Sequence, residues 1–149
     1  MANERTLYKA LREGLLAAAW RRGIHIHAVR VENGAVAGTP DVNLCVEGKE
    51  WWIELKYARQ EPKRSSTPLL GSAHRLSAVQ SAWLQSRRHA RGNVAVFIGT
   101  PQRRILTQQT FIPLNAMTVT ELELSAIWTA GARVSAEEYN KLLEVLINV

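Results

Sequence analysis

Residues 38–57 read Gly38-Thr39-Pro40-Asp41-Val42-Asn43-Leu44-Cys45-Val46-Glu47-Gly48-Lys49-Glu50-Trp51-Trp52-Ile53-Glu54-Leu55-Lys56-Tyr57. Two alternating runs flank a tight turn at Glu47-Gly48-Lys49, the pattern of a β-hairpin. In the first run Val42, Leu44 and Val46 share one face, and Asp41, Asn43 and Cys45 share the other. In the second, Trp51, Ile53, Leu55 and Tyr57 form a core face, opposed to Glu50, Trp52, Glu54 and Lys56. Matching the two apolar faces sets a register with Asp41 opposite Glu54 or Lys56, because a one-residue slip would drive Asp41 into the core. Two carboxylates and a lysine therefore converge at the open end of one hairpin.

An isolated E-x-K on a strand is most simply a solvated Glu–Lys pair, but the aspartate beside it changes its meaning. Crowded carboxylates repel unless a cation lies between them. An all-oxygen donor set suits a hard ion such as Mg²⁺ or Mn²⁺, and the lack of a Cys/His cluster argues against zinc.

Working outward, residues 4–21 carry Leu7, Leu11, Leu15 and Ala18 at helical spacing, with Asn3 as a candidate N-cap. Residues 24–31 alternate as a strand, and the stretch from Asn33-Gly34 to Thr39-Pro40 is loop chemistry. Residues 58–75 form a basic stretch with prolines and serines, read as a mobile loop. Ser77–Arg91 reads as a helix opened by a Ser77-x-x-Gln80 capping box and followed by Gly92. Strands are expected at 93–98 and at Ile105-Leu106, then two helices with boxes Thr120-x-x-Glu123 and Ser135-x-x-Glu138. The order α-β-β-β-α-β predicts an α/β domain with a mixed central sheet flanked by helices. Residues 1–109 form the core, and residues 110–149 a C-terminal helical extension of the same domain.

The 149 residues are one domain's worth, with an ordinary 46% apolar and 21% charged composition. No run is long enough to span a membrane and no signal peptide opens the chain, so a cytoplasmic protein is expected. Cys45 is the sole cysteine, which excludes an intrachain disulfide. Net charge is +6, with fourteen arginines among nineteen basic residues. Residues 1–109 hold seventeen bases against eight acids; residues 110–149 hold two against five. Arginine's planar fork suits phosphate, so a polyanionic partner is favoured.

Gly38-Thr39-Pro40-Asp41, twelve residues, then Glu54-Leu55-Lys56 resembles the PD-(D/E)xK nuclease superfamily. The element order and the trailing Gln80 resemble it too. Asn3-Glu4-Arg5-Thr6-Leu7 resembles the helix-borne glutamate of its small phage-type VRR-NUC-like and Holliday-junction-resolvase-like members. The resemblance spans residues 4–99 and implies a restriction-endonuclease-like core. It implies that Asp41, Glu54 and the Leu55 carbonyl bind Mg²⁺, with Mn²⁺ as a substitute, and that Lys56 positions or deprotonates the attacking water. Glu4 either faces the metal or complements its helix dipole. Gln80 either serves the site or only closes its capping box. Trp83 and Leu84 stand where the exonuclease branch has a tyrosine, which argues against processive end-resection.

Arg59, Lys63, Arg64 and Arg75 flank the catalytic strand where a DNA backbone would pass. Arg87 and Arg88 are either phosphate contacts or a solvated helix end. His25 and His27 share a strand face and read as partly exposed strand residues rather than a metal pair, His74 and His89 as structural or phosphate-facing, Cys45 as packing, and Trp51 and Trp52 as core and site wall. The expected function is a metal-dependent DNA endonuclease acting on branched DNA, phage-encoded, with a homodimer through the C-terminal helices. The alternative is a non-catalytic nucleic-acid-binding module on the same fold, which has no use for two carboxylates beside phosphate.

Overall fold

A computed structural model describes residues 2–32, 36–71 and 74–149. The turn read at Asn33-Gly34 and Ser72 of the basic stretch lie outside the described residues. The elements run α1 (Glu4–Arg21), β1 (Ile26–Arg30), β2 (Val42–Val46), β3 (Lys49–Tyr57), α2 (Ala78–His89), β4 (Asn93–Gly99), β5 (Arg103–Thr107), a 3-10 turn (Ile112–Ala116), α3 (Val119–Ser125), β6 (Ala126–Gly131) and α4 (Ala136–Asn148).

The six strands of the described residues lie side by side in sequence order. Only β3 and β4 pair in parallel, joined by the crossover through α2; the other neighbours are antiparallel. The β2–β3 hairpin pairs Val46 with Lys49 across Glu47 and Gly48, both at positive φ as a type I′ turn requires. Its register pairs Val42 with Ile53, which carries Asp41 opposite Glu54.

Each sheet face is covered by different helices. On one face, Leu7, Leu11, Leu15 and Ala18 of α1 and Leu142, Leu143 and Leu146 of α4 bury Val42, Leu44, Val46, Trp51, Ile53 and Leu55. The Trp51 indole N–H donates to the Leu146 carbonyl at 2.9 Å, so this large side chain is buried without an orphaned donor. On the other face, Leu84 of α2, Leu122 of α3 and Leu114 of the 3-10 turn pack on Val94, Val96, Ile98 and Ile105.

Three sequence expectations need correction. Residues 110–149 are not purely helical: Ala126–Gly131 form β6, paired with β5. The box that opens α3 is Thr118 with Glu121, not Thr120 with Glu123, because Thr118 is the residue that turns extended and accepts the Glu121 N–H. The basic stretch after β3 is anchored rather than loose: Leu69, Leu70 and Leu76 are buried, and the Leu69 N–H donates to the Met117 carbonyl. Its apolar residues hold it to the second core as its charges face water. The apolar face of α4 is itself buried within the chain.

Candidate active site

The site forms where β2 ends beside β3. Asp41 follows the buried Pro40, and its backbone carbonyl accepts the Val31 N–H at 2.7 Å, tying it to the end of β1. Its Oδ2 accepts the Leu55 N–H at 2.9 Å. Gly38 makes this approach possible. It sits at φ +84°, and an added Cβ would lie 2.4 Å from the Val79 carbonyl oxygen of α2.

Glu54 is 2% exposed and points to the α2 side of the sheet. Its Oε2 accepts from Gln80 Nε2 at 3.1 Å, and its Oε1 has no partner. Burial, the largest cause, and the nearby Asp41 carboxyl push its pKa up to about 9, against the opposing pull of Lys56. The Lys56 ammonium donates to the Gln80 Oε1 at 3.0 Å and to the Arg75 carbonyl at 3.1 Å, and stands 4.0 Å from Glu54 Oε2. Gln80 closes its capping box and also reaches Glu54 and Lys56. Its Oε1 accepts the Ser77 N–H in the capping box while its amide bridges Glu54 and Lys56.

Glu4 opens α1 at the rim of this cluster. Burial raises its carboxyl and the Asp41 charge raises it further, while Lys56, Arg30 and His74 pull it down. Gly99 allows that helix turn so close, since a Cβ there would lie 2.7 Å from Leu7. A small cleft lined by Asn3, Glu4, Lys56, Tyr57, Arg59 and His74 leads in from solvent.

The donor set is carboxylate oxygen throughout. Among the described residues no three His, Cys, Asp or Glu side chains are gathered at metal-ligating distance, so the geometry offers the Asp41–Glu54 pair and not a triad. The pair fits a hard divalent cation. A buried carboxyl with an unpartnered oxygen and a neighbour that opposes its ionisation is relieved by positive charge between the two. Leu55 is buried on the opposite face, but its N–H points at Asp41, and strand geometry turns its carbonyl to the same edge, past the last paired residue of β2.

Of the cations expected to meet DNA, Arg59, Lys63, Arg64 and Arg75 are exposed and make no ion pair among the described residues. Arg87 and Arg88 are held by the protein. Arg87 lies 5.4 Å and 4.9 Å from the ring centres of Trp52 and Trp83 and pairs with Glu50 at 3.5 Å. Arg88 donates to the Gln108 carbonyl at 3.0 Å. A second basic cleft escaped the sequence reading: Arg5, Lys9 and Arg12 of α1 line it with Tyr8 and Arg30, alongside Glu13 and Glu32. The signal was present, since steps of four and three put those three cations on one helix face. His25, His27 and Cys45 stay exposed near the β1 edge, outside the site.

No protein-family model matches the chain, and no curated protein matches it. Among solved structures it is similar to the Holliday junction resolvase Hjc of the archaeal hyperthermophile Archaeoglobus fulgidus, with a TM-score of 0.50 and 21% identity over 89% of this chain and 98% of that one. The fold is a mixed α/β, restriction-endonuclease-like one. No helix among the described residues is long and apolar enough to cross a membrane.

Proposed function

We propose that this chain is a divalent-metal-dependent endonuclease that hydrolyses phosphodiester bonds in DNA, selecting branched structure rather than sequence, in the cytoplasm. One observation carries the proposal: a buried Glu54 carboxyl with a free oxygen, crowded by Asp41, beside a lysine ammonium fixed by two acceptors. A plain binding module would lose by this arrangement, since buried carboxylates cost stability and repel phosphate.

Asp41 and Glu54 would hold Mg²⁺, with Mn²⁺ as a substitute and the Leu55 carbonyl on the same edge. When bound, the metal supplies Lewis-acid polarisation of the phosphate and a more acidic water. Lys56 orients the attacking water and offsets the negative charge that builds on the phosphoryl oxygens. Gln80 keeps Lys56 and Glu54 in a fixed relation, and Glu4 adds negative charge at the rim.

Arg59, Lys63, Arg64 and Arg75 would track the backbone of one duplex arm, and the Arg5–Arg12 cleft with Arg30 that of another. A branch point presents two arms at once, which favours branched DNA, and one solved structure to which this fold is similar is that of a Holliday junction resolvase. Homodimerisation would let so small a chain cover both sides of a branch.

The test is a panel of labelled four-way, flap, single-stranded and duplex DNAs with Mg²⁺ or with EDTA. Branched substrates should be cut in Mg²⁺ and in Mn²⁺, with Ca²⁺ supporting binding alone. Cleavage that persists in EDTA, or none in any metal, contradicts the proposal.

A further inference from the structure

We propose that Asn115, on the 3-10 turn of the C-terminal region, is the positioning residue for Lys56, acting through two consecutive peptide groups. This rests on the nuclease reading for its consequence but not for its geometry. The Asn115 Oδ1 accepts the Leu76 N–H at 2.6 Å, and its Nδ2 donates to the Leu76 carbonyl at 2.8 Å.

Each bond grips one side of a rigid, trans peptide whose other side serves the site. The peptide that carries the Leu76 N–H carries the Arg75 carbonyl, which accepts the Lys56 ammonium at 3.1 Å. The peptide that carries the Leu76 carbonyl carries the Ser77 N–H, which donates to Gln80 Oε1 at 3.0 Å. That same Oε1 is the second acceptor of Lys56. A single carboxamide therefore fixes both acceptors of the ammonium. Because a trans peptide is planar, it cannot rotate away from Asn115 without turning its far-side group off Lys56 or Gln80.

The arrangement also polarises in the useful direction. A chain of hydrogen bonds from Asn115 Oδ1 through the Leu76 N–H strengthens the Arg75 carbonyl as an acceptor. Leu76 is 1% exposed and Leu114, next to Asn115, is 1% exposed, so both ends of the clamp are seated in the second core. An apolar side chain at 115 would leave the Leu76 donor and acceptor unpaired, and the segment would turn to find other partners.

The experiment compares Asn115→Ala and Asn115→Asp with Leu114→Ala, a cavity in the same turn that leaves the amide bonds alone. Asn115→Ala should lower kcat about tenfold, with KM and Ca²⁺-supported DNA affinity within about twofold, the pattern of a contact realised in the transition state. Asn115→Asp keeps the acceptor and loses the donor, so it should fall between parent and alanine. Leu114→Ala should lower Tm at least as far as Asn115→Ala and leave kcat within about twofold. A second readout does not need cleavage: in time-resolved amine acylation read by mass spectrometry, Lys56 should be the slowest of the five lysines. Asn115→Ala should raise its labelling rate about fivefold or more, and Leu114→Ala should not, because only the first frees the ammonium from fixed acceptors.

If Asn115→Ala leaves Lys56 labelling and kcat at parental values, or if Leu114→Ala changes them as much, the clamp is overturned. If the parent cuts no DNA but the labelling pattern appears as described, the clamp stands and the nuclease reading falls.

Discussion

Strand β3 builds two different environments from alternate residues. Toward α1 and α4, Trp51, Ile53, Leu55 and Tyr57 meet a continuous apolar core in which the buried indole donors of Trp51 and Trp128 are both satisfied. Toward α2, Glu54 and Lys56 meet a polar network with one carboxyl oxygen unpartnered. Burial is nearly the same on both sides: Leu55 is 0% exposed and Glu54 2%. What differs is the work the burial does. Packing on the first face stabilises the fold. Burial on the second raises the energy of an ionised glutamate, and the first face must offset that cost.

The largest expected effect breaks the stabilising face. Trp51→Ala removes the largest fully buried side chain and its bond to Leu146, and should cost about 3–5 kcal/mol, read as a lower urea midpoint. The next separates the faces. Gly38→Ala places a Cβ against the Val79 backbone at positive φ, so it should cost about 1–2 kcal/mol in strain alone. It should also slow cleavage strongly, because the segment it displaces leads into Asp41.

A pH titration of metal-free stability sharpens the contrast. Glu54 is raised, so the folded state resists its ionisation: its contribution is most favourable below about 4.5 and declines as pH rises toward about 9. Glu54→Gln should flatten that decline and match or exceed the parent near neutral pH. Glu61 behaves oppositely. Burial alone would raise it, but hydrogen bonds from Arg103 and Thr100 hold it below its ordinary value. Its contribution is present above pH 4.5 and is lost as pH falls through the lowered value, so Glu61→Gln should flatten the acid limb.

The smallest effect on the fold comes from the exposed cations. Lys63→Ala with Arg64→Ala should leave Tm unchanged. It should reduce the slope of log K against log salt by roughly 0.9 per lost phosphate contact. An unchanged slope would place the DNA elsewhere.

Much of this molecule is legible in the sequence where its cause is local. The α1 spacing, the hairpin alternation and the Ser77 box each report a nearest-neighbour constraint, and the Asp41 register follows from pleating alone. The sixth strand was not legible, because Ala126-Ile127-Trp128-Thr129-Ala130-Gly131 is too rich in small residues to alternate clearly, and its strandhood comes from pairing with β5. The anchoring of residues 58–76 was half visible in Leu69, Leu70 and Leu76, which the surrounding charges obscured. Asn115 gave no signal at all. It lies 39 positions from the peptides it grips and holds them by backbone bonds that any residue at 76 would offer. The partners that occupy Arg87 and Arg88 are hidden for the same reason.

Whether Asp41, Glu54 and Lys56 form a metal-dependent phosphodiesterase site is decided by single-turnover cleavage of a labelled four-way junction across a Mg²⁺ titration. Parent, Glu54→Gln and Lys56→Ala should separate. Glu54→Gln should lose Mg²⁺ affinity and cleavage together. Lys56→Ala should saturate at a similar Mg²⁺ concentration but cut at a rate lower by about 10² or more, with junction binding in Ca²⁺ retained. If both variants cut like the parent, these residues are only a charged strand face and the account is wrong.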